Sequence, residues 1–156
     1  MVEIMEGTAM LSFHVLLLKT DVVAESTRNS IFFSGSDSVV LSECSQSEFA
    51  GIVEASSAEV IHIITPGTIL VPEFYRAMLT TLEHSGRDYV SCYVGSLPQR
   101  AIIKAREAGF DPAQVMVKRW VYQEIGVGDT SPVDLINKVT GEYRGCEVPH
   151  MLTMRL

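Results

Sequence analysis

The segment from residue 59 to residue 79 constrains the fold of this chain more than any other part of its sequence. Residues 60–64 are β-branched at four of five positions, which is typical of a strand buried in a sheet. The turn Thr65-Pro66-Gly67 follows, and Pro72 then stands where the first turn of a helix tolerates proline. Apolar residues recur at helical spacing in the helix that follows, at Phe74, Met78, Leu79 and Leu82. A buried strand, a tight turn and an amphipathic helix in succession indicate an α/β fold.

Strands and helices alternate along the rest of the sequence as well. The other predicted strands cover residues 11–18, 38–41, 88–94, 113–117 and 143–149. The other predicted helices cover residues 21–29, 46–56, 98–109, 119–125 and 134–139, the second of them opened by a capping box of Ser45 and Glu48. Short connections of this kind imply right-handed crossovers between parallel strands. The sequence therefore predicts a three-layer α/β sandwich with a mainly parallel sheet, with residues 11–18 and 60–64 in its interior.

Composition and charge indicate the class of protein. The chain has 156 residues, 47% hydrophobic and 20% charged, as expected of one folded domain over residues 1–156 with a loosely ordered start at 1–9. A formal net charge of −7, with scattered Lys and Arg, argues against binding to nucleic acid or anionic membranes. The apolar run at residues 10–19 is too short to span a bilayer. Three widely spaced cysteines and the lack of a leader pattern favour a reducing, cytoplasmic location.

Several single residues have two interpretations. Cys44 precedes a predicted helix, a position that lowers a thiol pKa, but no partner histidine is evident and packing is the simpler interpretation. His62 lies inside an apolar strand, which favours a hydrogen-bonded core histidine over a ligand. The run Lys118-Arg119-Trp120 suits either a phosphate or sugar contact or an ordinary surface. The four histidines of the chain lack the spacing of metal ligands, so no metal site is expected.

The order of these elements resembles that of the family 2 glycosyltransferases, which have the GT-A fold. Residues 39–45 (VVLSECS) are similar to the family segment v-v-x-D-D-x-S, whose aspartates contact the base and ribose of the nucleotide. Residues 60–70 resemble the strand and turn whose carboxylates hold the metal ion that neutralises the diphosphate. The resemblance implies a nucleotide-sugar pocket formed by Glu43, Ser45, Thr65 and Gly67.

The second half of the chain extends the resemblance towards the acceptor side. Residues 116–126, which contain Lys118-Arg119-Trp120, are similar to the family stretch that borders the acceptor site. Residues 132–135 resemble the segment that carries the general base, and residues 141–149 resemble the one that follows it.

The sequence departs from the family pattern at the catalytic positions. Gly67 stands where the family has the metal-holding acid, and Ser131-Pro132 stand where it has the paired acids that include the base. Ser42 replaces the first aspartate of the nucleotide segment. Asp129 is the acid nearest to the missing pair, and it either substitutes as the base or stabilises a turn.

Two hypotheses for the function follow. In the first, the chain is a glycosyltransferase-like domain without metal-dependent transfer, which acts as a binding or assembly module for a nucleotide or nucleotide sugar and uses no cofactor. In the second, it is an active metal-independent glycosyltransferase in which Lys118 or Arg119 replaces the metal ion and Asp129 is the base. A receiver-like or flavodoxin-like domain is a third alternative, but neither an acidic cluster nor a Ser/Thr/Gly-rich phosphate loop follows the first predicted strand.

The sequence also predicts a homodimer. The span from residue 83 to residue 113 is short for the acceptor side of the family, so apolar surface is expected to lack its usual cover. The residues expected to line this surface are Met116, Trp120, Val121, Ile125 and the tail 151–156. Pairing of two copies would bury such a patch.

We expect that the chain does not bind divalent metal with catalytic affinity. The turn Thr65-Pro66-Gly67 offers hydroxyl and carbonyl oxygens where hard cations prefer carboxylates. Calorimetry with manganese in the presence of UDP is expected to show no metal-dependent heat. Micromolar manganese binding would contradict this prediction.

Overall fold

The computed structural model describes residues 11–20, 24–96, 101–103 and 109–156. Within these ranges the strands are β1 (Phe13–Leu18), β2 (Val40–Cys44), β3 (Val60–Ile64), β4 (Thr68–Leu70), β5 (Tyr89–Ser96), β6 (Ala101–Ile103), β7 (Val115–Lys118) and β8 (Gly145–Arg155). The α-helices are α1 (Glu25–Gly35), α2 (Phe49–Ala55), α3 (Phe74–Ser85), α4 (Arg119–Ile125) and α5 (Pro132–Glu142). Short 3₁₀ turns cover Ser36–Ser38, Gln46–Glu48 and Pro112–Gln114.

The sheet is mixed, so the prediction of a mainly parallel sheet is wrong. Its strands lie in the order β2-β1-β3-β7-β5-β8-β4, and β6 pairs with β5. Strands β1, β2, β3, β5 and β8 point in one direction, whereas β4, β6 and β7 point in the other. Burial on both faces identifies β7 as a central strand but does not give its direction, which explains the error. Strands β1 and β3 each pair on both sides, and their predicted interior position is confirmed.

Helices cover both faces of this sheet, so the three predicted layers are present. Helices α1 and α3 pack on one face, where the side chains of Phe13, Val15 and Leu17 of β1 meet them. Helices α2, α4 and α5 pack on the other face, against Leu16 of β1 and Ile61 and Ile63 of β3. The alternation of side chains along each central strand supplies both cores, because successive residues point to opposite faces.

His62 is a buried polar residue in the first of these cores. Its Nε2 donates to the carbonyl oxygen of Ala113 at 2.8 Å, since a carbonyl only accepts, and its Nδ1 therefore accepts from the Tyr75 hydroxyl at 2.8 Å. Its ring stacks on that of Phe74, with 4.9 Å between the ring centroids. Burial lowers the pKa of His62 to about 4. The prediction of a hydrogen-bonded core histidine is confirmed.

Helix α1 begins and ends later than the predicted helix over residues 21–29. Residues 21–23 lie outside the described ranges, and Ser26, expected on the inner face of the helix, is exposed. Of the large apolar side chains of α1, Ile31 is the buried one, and Phe32 and Phe33 are exposed. An apolar stripe therefore does not explain how this helix is held.

Side-chain hydroxyls attach α1 to the edge strand β4. The Oγ1 atom of Thr27 accepts a hydrogen bond of 3.0 Å from the backbone N–H of Gly67. The Oγ atom of Ser30 accepts one of 3.1 Å from the N–H of Leu70. Edge strands leave backbone groups unpaired, and α1 occupies two such groups here.

Residues 101–103 form strand β6, where the sequence predicts a helix over residues 98–109. The strand pairs antiparallel with the end of β5, and Ile102 is 66% exposed instead of facing inward. A β-branched pair of residues fits an edge strand as well as it fits a helix, and three residues are too few to show a period. Residues 97–100 and 104–108 lie outside the described ranges.

Strand β8 continues well beyond the predicted last strand over residues 143–149. Pro149 has no N–H to donate, and the register of β8 on β5 shifts between Ser91 and Val94. The strand nevertheless resumes and reaches Arg155, lying between β5 and β4. The proline thus marks an irregularity and not the end of the strand.

Part of the surface expected to form a homodimer lies in the interior. Met116 and Val121 are fully buried, and Leu152 is 7% exposed within β8. Trp120 is 46% exposed and packs edge-on against Tyr143, with 5.9 Å between ring centroids. Residues 151–155 lie in the sheet, and Leu156, which follows them, is 61% exposed. Leu156 lies by the turn after β3, whereas Trp120 lies near the start of β3, so the exposed members do not form one patch. The homodimer stays a prediction, without this surface to support it.

We expect the free energy of unfolding to fall as the pH drops below about 6.5. The pKa of His62 is about 4 in the folded chain and near its ordinary value of 6.5 after unfolding, so between these values only the unfolded chain binds the proton. The stabilisation is complete above pH 6.5, and about 3 kcal/mol of it is lost by pH 4. Urea unfolding at pH 7.5 and 5.0 measures the slope.

The variant His62→Gln tests whether this residue causes the slope. A glutamine amide can still donate to Ala113 and accept from Tyr75, but it does not titrate. We expect a lower stability at pH 7.5 and a clearly smaller loss between pH 7.5 and 5.0. The exposed His84 provides the control, since His84→Gln is expected to keep the wild-type slope. A wild-type slope in His62→Gln would contradict the assignment.

Candidate functional site

The ends of three parallel strands meet at one edge of the sheet. In the register of the ladders, Leu17 of β1 lies beside Glu43 of β2 and Ile64 of β3. We call this end of the sheet, with the residues that follow each strand, the carboxyl edge. In open α/β sheets ligands bind beyond such strand ends. The residues predicted as a nucleotide-sugar pocket all lie here: Glu43, Ser45, Thr65 and Gly67.

Glu43 is held by an arginine of helix α1. Its two carboxylate oxygens accept from Nε and Nη2 of Arg28 at 2.8 and 2.9 Å, and both side chains are 37% exposed. The guanidinium holds the pKa of the Glu43 carboxyl below its usual range. A ribose hydroxyl would therefore have to share this carboxylate with Arg28.

Ser45 caps the short helical turn that leads into α2. Its backbone N–H donates to Oε1 of Glu48 at 2.7 Å, and its hydroxyl donates to the same oxygen at 3.1 Å. The Ser45 side chain also accepts from the backbone N–H of Glu48, and this bond together with the one from the Ser45 N–H forms the capping box predicted from the sequence, which is confirmed. The N–H and hydroxyl of Ser45 lower the pKa of the Glu48 carboxyl. The local role of Ser45 explains its presence without a ligand.

The turn after β3 contains no acid and is held through its backbone. Gly67 has a φ of +96°, which L residues rarely adopt. Its N–H donates to Thr27, and its carbonyl oxygen accepts from the N–H of Leu156 at 3.1 Å. A Cβ added to Gly67 would meet no atom within 4 Å, so the space beside the turn is open. Thr65 is half-buried at the start of this turn.

Lys118, Arg119 and Trp120 lie at the opposite end of β3. Because β7 is antiparallel to β3, Lys118 pairs with Val60, at the start of β3. The Nε of Arg119 donates to the carbonyl oxygen of Ala58 at 2.8 Å. The structure thus does not bring these three residues together with the turn that carries Gly67.

The loop that carries Asp129 does reach the carboxyl edge. The amide Nε2 of Gln46, two residues after β2, donates to the backbone carbonyl oxygen of Asp129 at 2.9 Å. The Asp129 side chain is exposed. Asp129 therefore lies on the same side of the molecule as Ser45, as a base acting at this edge would require.

Asp111 and Arg155 form an ion pair at the same edge, which the sequence analysis missed. Arg155 Nη1 donates to Asp111 Oδ2 at 2.7 Å, and the side chains are 37% and 6% exposed respectively. The run from Asp111 to Gln114 is a second capping box, D-x-x-Q, and this signal was available in the sequence. Arg155 gave no signal, because its position depends on the full length of β8.

Cys44 ends β2 at this edge but is only 1% exposed. Burial raises the pKa of its thiol to about 11, which agrees with a packing role. The described ranges bring no three His, Cys, Asp or Glu side chains into an arrangement able to hold a metal ion. Among the described helices, none has the length and apolar content needed to cross a membrane.

Two open clefts lie at the other end of β1. One, of about 350 Å³, is bordered by Phe13, Gly35 and Pro72, and the other, of about 330 Å³, by His14 and Ser56. His14 contacts the hydroxyls of Ser42 and Ser56 at 2.8 and 3.0 Å. A serine nucleophile would also need a carboxylate to orient the histidine, and serines occupy both of its ring nitrogens. These clefts are not at the strand ends that bind ligands in this architecture.

Comparison with known proteins identifies the fold. No protein-family model matches the chain, and no curated protein matches it significantly by sequence. The crystal structure of S. aureus TarS 1–349 has a TM-score of 0.63 and 5% identity, covering 93% of this chain and 60% of that chain. The complex of TarS 1–349 with UDP has a TM-score of 0.62 and 7% identity, covering 92% of this chain and 60% of that chain. A longer S. aureus TarS structure has a TM-score of 0.62 and 7% identity, covering 93% of this chain and 36% of that chain.

TarS is a glycosyltransferase, so this chain has a glycosyltransferase-like α/β fold. The chain spans at most 60% of the TarS structures that it matches. At this level of identity the likeness shows the fold alone.

We expect Gly67→Ala to lower the free energy of unfolding by about 1–3 kcal/mol, because an L residue is strained at its positive φ. No clash contributes, since the added Cβ meets nothing within 4 Å. Gly51→Ala in helix α2 is the matched control, with equally open surroundings and no positive φ. It is expected to stabilise by about 1 kcal/mol. Urea unfolding of both variants checks the pair, and equal effects of the same sign would contradict the strain at Gly67.

Proposed function

We propose that this chain is a glycosyltransferase-like domain that binds a nucleoside diphosphate or nucleotide sugar at the carboxyl edge and lacks metal-dependent sugar transfer. The fold shared with a UDP-bound TarS structure supports nucleotide binding at the strand ends. The observation that carries the proposal is the bonding of the acidic groups at the carboxyl edge. Its turn has no acid, and the carboxylates of Glu43 and Asp111 are already bonded to arginines.

The ligand groups at the turn argue against a catalytic divalent ion. Mg²⁺ and Mn²⁺ sites in transferases rely on carboxylate oxygens and on phosphate oxygens of the substrate. At this turn the carbonyl oxygen of Gly67 accepts from Leu156, and the nearest acid in the ladder, Glu43, is bonded through both oxygens to Arg28. A metal ion at this turn would have to share these oxygens with Leu156 and Arg28, and the turn itself adds no carboxylate.

The open space beside Gly67 supports binding of the phosphate-bearing part of a nucleotide. The turn contains the Thr65 hydroxyl, and a ligand approaching it would meet no side chain at Gly67. A hydroxyl can donate a hydrogen bond to a phosphate oxygen.

An active metal-independent transferase is the second candidate, and the position of Asp129 favours it. The contact with Gln46 keeps the Asp129 loop at the carboxyl edge, where a base would act on the acceptor hydroxyl. The proposed replacement of the metal by Lys118 or Arg119 has no such support, because both lie at the opposite end of β3.

We expect calorimetry to show UDP or GDP binding whose affinity is the same in manganese and in EDTA. Incubation with UDP-sugars is expected to release no UDP, with or without manganese. Thr65→Glu is expected to weaken UDP binding by about tenfold or more, because it adds a negative charge beside the diphosphate. The exposed Thr80→Glu on α3 is the matched control and is expected to bind like the wild type.

The alternatives give different results in the same assays. UDP release that depends on Asp129, lost in Asp129→Asn, would establish the active transferase. Affinity that appears only with manganese would contradict the loss of the metal site. The absence of binding to UDP, GDP and their sugars would contradict nucleotide binding altogether.

A further inference from the structure

We propose that Arg155, oriented by Asp111, is the anion-binding residue of the carboxyl edge and contacts the diphosphate of the bound nucleotide in place of a metal ion. This inference rests on the proposed function, because it names a binding residue for the same site. It concerns a residue in the last strand that lies outside the segments in which the sequence resembles the family.

The sheet places Arg155 beside the turn that carries Gly67. Arg155 is the last residue of β8 and lies opposite Thr68 of β4 and beside Ser96, the last residue of β5. The next residue, Leu156, donates its N–H to the carbonyl oxygen of Gly67. The arginine is therefore adjacent to the position at which the resemblance places the metal-holding acid.

The carboxylate that orients Arg155 is itself fixed. Asp111 accepts from the backbone N–H of Gln114, and its own N–H donates to Gln114 Oε1 at 2.9 Å. The amide Nε2 of the fully buried Gln114 donates to the carbonyl oxygen of Cys92 at 2.7 Å. The Asp111 carboxylate thus has a defined direction, and Arg155 donates to it. A guanidinium held in this way is preorganised for a second anion.

The ion pair is open on the side of the arginine. More than a third of the Arg155 side chain is exposed, whereas Asp111 is almost completely covered. Only Nη1 of Arg155 contacts Asp111, and a guanidinium has five N–H donors. The N–H groups of Arg155 that do not contact Asp111 can therefore donate two parallel hydrogen bonds to phosphate oxygens.

The other two described cations of this edge, Arg28 and Lys19, also have acidic neighbours. Arg28 donates from two nitrogens to both oxygens of Glu43, so this bidentate edge of its guanidinium is already occupied. Lys19 attracts Glu43 and Glu48, and it contributes to the lowered pKa of both carboxyls. In a chain with a net charge of −7, a diphosphate needs a local cation. Of the three, Arg155 directly precedes the residue that bonds Gly67, and Asp111 contacts it through Nη1 alone.

Thr68 adds an independent observation next to Arg155. It is fully buried, and its hydroxyl has no hydrogen-bond partner among the described residues. Directly opposite residues of an antiparallel pair have side chains on the same face, so Thr68 and Arg155 are neighbours. A buried hydroxyl without a partner is costly, and a phosphate oxygen bound between these two side chains would supply an acceptor.

The test uses ligands that separate the diphosphate from the nucleoside. Binding of UDP, uridine and inorganic pyrophosphate is measured by calorimetry for the wild type and for Arg155→Gln, with thermal unfolding to show that each variant folds. We expect Arg155→Gln to weaken UDP and pyrophosphate by about tenfold or more and to leave uridine unchanged, since it removes charged hydrogen bonds to phosphate alone. Arg119→Gln, at the opposite edge, is the matched control and is expected to change none of the three.

Further variants test separately the guanidinium geometry of Arg155, its orientation by Asp111 and the hydroxyl of Thr68. Arg155→Lys keeps the charge but not the two parallel hydrogen bonds, and we expect an intermediate loss of UDP affinity. Asp111→Asn is expected to weaken UDP less than Arg155→Gln does, because the guanidinium remains but loses its orientation. Thr68→Val is expected to weaken pyrophosphate by a few fold if the hydroxyl contacts phosphate.

Each outcome decides the inference separately from the proposed function. A folded Arg155→Gln protein with wild-type affinity for UDP and pyrophosphate overturns the role of Arg155 and leaves nucleotide binding intact. If the wild type binds pyrophosphate through Arg155 but neither UDP nor uridine, the anion site stands and the proposed function fails. If the wild type binds neither pyrophosphate nor UDP, the inference is overturned. If Arg155→Gln does not fold, the affinity of Arg155→Lys is used instead. An unchanged affinity of this variant for UDP and pyrophosphate overturns the bidentate contact between Arg155 and phosphate.

Discussion

The attachment of helix α1 to strand β4 determines the geometry of the whole carboxyl edge. Thr27 and Ser30 hydrogen-bond two backbone N–H groups of the segment after β3, and one of these belongs to the turn residue Gly67. The same helix places Arg28 against Glu43 of β2. Buried side-chain-to-backbone hydrogen bonds are costly to lose, because the abandoned N–H is left without a partner. One helix that buries few apolar side chains thus fixes both the turn and the nearest acid.

The direction of strand β7 is the second constraint, because it decides which residues can act together. An antiparallel β7 carries Lys118 away from the carboxyl edge and brings the segment before it, with Asp111 and Gln114, towards that edge. The basic residues that resembled an acceptor-side motif are therefore separated from the turn, and an ion pair formed by Asp111 and Arg155 takes a place beside it. The two arginines near the site come from the first helix and the last strand.

The sequence predicted those features that depend on local pattern. The buried strand β3, the helix Arg119–Ile125 and the capping box of Ser45 follow from neighbouring residues, and all were found. Strand direction, the three-residue β6 and the continuation of β8 through Pro149 depend on pairing between distant segments, which no period in the sequence encodes. The pocket residues were placed at one edge because strand ends are local. Arg155 was missed because only the long ladder of β8 brings it there.

The positive φ of Gly67 limits which residues can occupy this turn. With a φ of +96°, this position lies beyond the narrow left-handed region that even Asp and Asn tolerate. A mutation to aspartate would therefore put the acid on a strained backbone, in a turn already bonded to Thr27 and Leu156. An acid could occupy this turn without strain only if the turn, its helix and the final strand changed together. A single substitution is therefore not enough to give this turn an unstrained carboxylate.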